Sequence, residues 1–127
     1  MTDYAAAGEW LDAFGRAWQQ HDGDAWVGLF TEDAEYHEDP FGDPLVGHNA
    51  LRAYLLEGAE AERDVDFTVE RHWVAGETIL AAWHASYIGD AGGQRVRLGG
   101  FLTAEMAPDG RATRFREWTV EPRETAG

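Results

Sequence analysis

Apolar residues recur at helical spacing in the first part of the chain and alternate in the second, and this switch of period predicts the architecture. Ala7, Trp10, Leu11, Phe14, Ala17 and Trp18 form one face of an amphipathic helix of about five turns, capped by Thr2 or Asp3 and broken at His21-Asp22-Gly23. Asp24 is placed to cap a short second helix, Ala25 to Phe30. A strand follows to Asp39, then the Pro/Gly-rich loop Pro40-Phe41-Gly42-Asp43-Pro44, then a third helix from about Asn49 to Glu62. Beyond it the pattern turns to β: Val65 to Ala75, a turn at Gly76, Thr78 to Ile88, a loop at Gly89 to Gly93, Arg95 to Met106, a turn at Pro108-Asp109-Gly110, and Arg111 to Glu121. The order α-α-β-α-β-β-β-β predicts an α+β fold in which a curved antiparallel sheet wraps on three N-terminal helices. Such a cone has an open mouth and so forms a pocket.

Composition narrows the picture. At 127 residues, with 44% hydrophobic residues and six Trp, six Phe and four Tyr, the chain reads as one domain, residues 1–127, with a sizeable core. It has no Cys, which removes disulfides, thiolate metal sites and cysteine nucleophiles. It has no Lys, which removes Schiff-base chemistry. A net charge of −14 disfavours nucleic acid and anionic membranes as partners. With no apolar run of membrane length and no basic-then-apolar start, the expectation is a soluble, cytoplasmic protein. No zinc-protease helix motif, EF-hand loop or phosphate-binding Gly-rich loop is present, so neither metal nor cofactor is expected.

Four stretches carry a family resemblance: Asp22-Gly23-Asp24 before Leu29-Phe30-Thr31-Glu32-Asp33-Ala34; Glu38-Asp39-Pro40-Phe41-Gly42; Gly47 before Leu51-Arg52-Ala53-Tyr54; and Asp109-Gly110-Arg111 with Phe115-Arg116-Glu117-Trp118. In these the chain resembles the nuclear-transport-factor-2-like (NTF2-like) superfamily, in its SnoaL-like and ketosteroid-isomerase-like branch. The resemblance implies the conical fold. It also makes Asp39 the counterpart of a proton-shuttling aspartate and Glu117 the counterpart of the catalytic acid of SnoaL-like polyketide cyclases. The isomerase's two oxyanion donors have no counterparts, because their places fall at Phe14 and near Leu102, so steroid isomerisation is disfavoured. The Arg/Asp pair of the epoxide hydrolases is also missing; its places fall near Ala82 and His84. The resemblance further implies a homodimer through the convex sheet face, where Trp83, Tyr87, Phe101 and Trp118 would project with some of Arg95, Arg97, Arg114 and Arg116.

The candidate catalytic residues are Asp39, Glu117, His84 and His37. Phe115, Glu117 and Thr119 share one strand face, so Glu117 enters the cone if Phe115 does, and a buried carboxylate needs a purpose or a partner. The competing reading pairs it with an Arg or leaves it solvated at the mouth. The family alignment turns Leu80, Ala82, His84 and Ser86 toward the pocket, where His84 would assist a carboxylate; a satisfied core histidine is the alternative. His37 and Asp39 would form a dyad unless a bulge near Glu35 breaks their register, and Asp39 competes as a turn-capping acid before Pro40. Phe14, Trp18, Phe30, Tyr54, Leu80, Ala82, Leu102 and Phe115 are the expected substrate-binding wall, and Tyr54 is a possible hydroxyl donor. These features predict a cofactor-free enzyme moving protons on a small apolar or polyketide-like molecule: an isomerase, cyclase or dehydratase (a lyase). The alternatives are a non-catalytic ligand-binding or dimerisation module and an epoxide-hydrolase-like enzyme.

Overall fold

The computed structural model describes residues 2–90 and 92–122. Helix α1 spans Tyr4–Gln20 and α2 Gly23–Val27. Strand β1 runs Phe30–His37, β2 Leu45–Val46, and helix α3 His48–Ala61. Strands β3 (Glu62–Ala75), β4 (Thr78–Gly89), β5 (Arg95–Met106) and β6 (Ala112–Val120) complete the described chain. The sheet order is β2-β1-β6-β5-β4-β3, antiparallel throughout except where β1 lies parallel to β6. The result is the expected α+β cone, a curved open sheet with its helices in the hollow.

Local chemistry sets the helix ends. Asp3 caps α1 by accepting from the Ala6 amide at 2.7 Å, and His21 ends it in the left-handed region at φ 49°. Asp22, rather than Asp24, caps α2, accepting from the Ala25 amide at 3.1 Å. Asp24 instead pairs with Arg52 of α3 at 2.6 Å. The short strand β2, inside what the sequence reads as loop, pairs with the end of β1.

The sheet has an inner, helix-facing side and an outer, convex side, and on β4 the assignment expected from the family alignment is reversed. Ile79, Ala81, Trp83 and Ala85 are buried inward, while Leu80, Ala82, His84 and Ser86 face outward. Burial decides this: the inward set is wholly apolar and includes a Trp, whereas the outward set carries His and Ser. Trp83 and Tyr87 therefore leave the convex face on which they were expected. Close packing under Trp83 requires glycine at its neighbour on β5, because a Cβ on Gly100 would meet the Trp118 carbonyl oxygen and stand 2.8 Å from Trp83 Cζ2. On α1, Gly15 similarly admits the Phe67 ring, whose Cδ1 would lie 2.6 Å from an added Cβ. Ring packing joins helices and sheet: Phe14 stacks on Phe115 at 5.1 Å and Phe115 on Tyr36 at 4.6 Å.

Candidate active site

Between the helices and the inner sheet face lies a cavity of about 1150 Å³. Phe14 and Trp18 of α1, Trp26 of α2, Tyr54 and Leu55 of α3, Tyr36 of β1 and Trp83 of β4 supply its apolar wall. The exposed lining residues Asp39, Pro40, Phe41, Glu57 and Glu121 mark its mouth.

Glu117 is the polar centre of this hollow. Strand alternation carries it inward with Phe115 and Thr119, opposite Leu102 of β5. Its accessible area is intermediate, because the side chain borders the cavity. Among the described residues no cation pairs with it. Burial drives its pKa from 4.5 up to about 8, the negative charge of Glu38 adds to the rise, and a hydrogen bond from Tyr36 opposes it. Glu117 is thus mostly protonated at neutral pH, with a minor carboxylate fraction. Burial first, then the Glu117 charge, lifts Tyr36 well above the usual phenol range. Tyr54 is raised by the same causes and hydrogen-bonds with Glu38. Both phenols stay neutral and can donate. The site therefore joins a carboxyl of raised pKa and two phenol hydroxyls within an aromatic wall.

Of the other expected catalytic groups, only Asp39 borders the cavity. Asp39 sits at the mouth and caps the turn, its Oδ1 accepting from the amides of Phe41 at 2.6 Å and Gly42 at 2.9 Å. His37 does not form a dyad with it. Strand alternation continues from Ala34, so Tyr36 turns inward and His37 outward beside Glu35 at 3.2 Å. His84 is on the outer face, half-exposed, 2.7 Å from Glu70, so it does not reach the pocket. Of the expected wall, Phe14, Trp18 and Tyr54 line the cavity. Phe30, Leu102 and Phe115 are sealed in the core and do not line it, and Leu80 and Ala82 point outward with His84. Sequence reading missed Trp26, Tyr36, Glu38 and Trp83. Alternation along Ala34, Tyr36 and Glu38 was the signal for two of them. Among the described residues no group of three His, Asp or Glu side chains could hold a metal ion, and no described helix is long and apolar enough to cross a membrane.

Comparisons with known proteins agree with this geometry. A fold of three helices inside a curved six-stranded sheet defines the NTF2-like class. The family model described as "SnoaL-like domain" matches residues 11–115, and the chain belongs to that family. Among solved structures, it is similar to SalBIII, described as an epoxide hydrolase/cyclase-like enzyme in pyran ring formation in the polyether salinomycin, with TM-score 0.84, 22% identity, and 94% of this chain and 95% of that one covered. A protein of ketosteroid isomerase-like fold from Catenulispora acidiphila DSM 44928, in complex with trimethylamine, aligns with TM-score 0.79 and 14% identity over 87% of this chain and 84% of that one. A computationally designed 17-OHP binder aligns with TM-score 0.77 and 22% identity over 89% and 92%. No curated protein matches the sequence.

Proposed function

We propose that the protein is a small-molecule enzyme of the isomerase, cyclase or dehydratase type, in which Glu117 moves a proton on an apolar substrate held by the aromatic wall. The observation that carries this reading is an inward-facing carboxyl, with no cation beside it among the described residues and a phenol hydroxyl from Tyr36 as partner, in a cavity large enough for a multi-ring molecule. The carboxylate form takes a proton from carbon next to a carbonyl. The enolate oxygen that develops accepts from Tyr54, and Glu117, now protonated, returns the proton to another carbon. The chemistry uses only the chain's own side chains. Asp39, whose carboxylate is held by two backbone amides, shapes the mouth. The similarity to SalBIII supports a cyclase-type role. The protein is further proposed to act in the cytoplasm as a homodimer through the outer sheet face, where Trp73 and Trp118 are 38% and 39% exposed.

A second reading is favoured by one observation: a carboxyl protonated at neutral pH can donate to a ligand's carbonyl without any turnover. In that case the protein is a binder, like the designed one. The ketone 2-tetralone in deuterated water separates the two. An enzyme exchanges its α-protons above the buffer rate, with a rate that climbs through about pH 8 and falls to background in Glu117→Gln. Binding of 2-tetralone with no exchange above background supports the binder and rejects catalysis.

A further inference from the structure

Among the described residues, the charged groups that line the cavity are all of one sign. Glu38, Asp39, Glu57, Glu62, Glu117 and Glu121 border it, and among the described residues no Arg or His does. They come from separate parts of the fold: the chain after β1, the C-terminal half of α3, the start of β3, and β6 with its exit. Several of the chain's arginines sit on the opposite side. Arg71, Arg95, Arg97, Arg114 and Arg116 all register on the outer sheet face, away from the hollow. Inside the acidic mouth stand indole and phenol rings, whose faces attract cations once water is excluded. Among the described residues these mouth carboxylates have few cationic partners. Glu62 lies 3.5 Å from His21, and no ion pair involves Glu38, Asp39, Glu57 or Glu121.

An aromatic cavity with an acid-only mouth selects by charge as well as by size. We propose that the natural ligand is an amphiphilic cation, an apolar ring body carrying a protonated amine, with the body in the aromatic hollow and the ammonium at the mouth among Glu38, Glu57, Glu62 and Glu121. The inference deepens the proposed function, since it rests on the same cavity and names the class of molecule the cavity takes. The low-dielectric wall focuses the field of the mouth onto an entering molecule, so an anionic ligand of the same shape meets repulsion where the amine meets attraction. Glu117 lies further in and, being largely neutral, remains available to the reacting part of the ligand.

The test uses three fluorescent probes of one skeleton: 1-pyrenemethylamine, 1-pyrenemethanol and 1-pyrenecarboxylate, titrated into the protein at neutral pH and low salt. The amine is expected to bind about tenfold more tightly than the alcohol, and the carboxylate at least about tenfold more weakly, with the spread shrinking as salt rises. Because the whole protein is strongly acidic, a charge-matched control is needed. Glu57→Gln with Glu121→Gln, both at the exposed mouth, is expected to cut the amine's advantage about threefold or more. Glu9→Gln with Asp12→Asn on the exposed side of α1 removes the same charge and is expected to change it less than about twofold. Equal binding of amine and alcohol, or equal loss in the two double variants, overturns the inference. If that happens while 2-tetralone is still exchanged in a Glu117-dependent way, the catalytic reading stands alone. If none of the three probes binds, the cavity reading itself is overturned.

Discussion

At the scale of single residues, Glu117 is held at a cost, and that cost has a sign. Its folded-state pKa of about 8 lies above the unfolded value of 4.5, so the protonated form is the one folding favours. The penalty is absent below about pH 4, grows as pH rises between the two values, and is complete above about pH 8. Linkage puts its full size on the order of 5 kcal/mol, which local relaxation is expected to reduce to about 2–4 kcal/mol. Glu117→Gln should therefore match the wild type in stability near pH 4 and exceed it near pH 9, as read by urea unfolding at both. A variant that is less stable at alkaline pH contradicts a buried, unpaired acid. Tyr36→Phe acts in the other direction on the same group. Removing the hydroxyl that donates to the carboxylate raises the Glu117 pKa further, so the pH profile of 2-tetralone exchange should move to more alkaline values. Of this site, Glu117 was legible from alternation with Phe115. Tyr36 was less legible, because it precedes the polar run His37-Glu38-Asp39 and reads in sequence as an ordinary apolar strand position.

At the scale of elements, β4 and its partner strands decide which side chains can reach a ligand. The β4 pattern contains the answer: Ile79, Ala81, Trp83 and Ala85 form a continuous apolar face, and a fully buried Trp contributes on the order of 2–3 kcal/mol of transfer free energy that a half-polar face does not match. The family alignment pointed the opposite way, and a shift of one residue along a strand exchanges the two faces completely. His84→Ala should accordingly leave pyrene-probe affinity within about twofold, measured by fluorescence titration. Gly100→Ala should destabilise the fold by about 2–3 kcal/mol in thermal unfolding, because the new methyl meets Trp83 and the backbone at Trp118, neither of which can move freely. The β1 irregularity was anticipated near Glu35, and the register does shift between Phe30 and Glu35. Short helix α2 and strand β2 were harder to bound, since few residues define their periods and competing Asp caps at 22 and 24 look alike in sequence.

At the scale of the whole molecule, the order of elements was almost entirely readable, because long helices and long strands announce their periods. What linear pattern could not supply was the convergence of side chains from different strands on one point, which depends on sheet register and curvature. The acidic lining is likewise a property of the assembled fold, since its carboxylates come from separate elements and meet only about the cavity. The convex side also carries the Trp73 and Phe101 rings, 6.1 Å apart, and light scattering at micromolar protein should report a dimer that Phe101→Glu converts to monomer. The proposed function rests on one arrangement, an inward carboxyl of raised pKa inside an aromatic cone. The most direct measurement of it is the titration of the Glu117 side-chain carboxyl by carbon NMR, assigned with Glu117→Gln. A midpoint near 8 is the result expected of a carboxyl held inside the cavity; a midpoint near 4.5 would place that group in water and contradict the account.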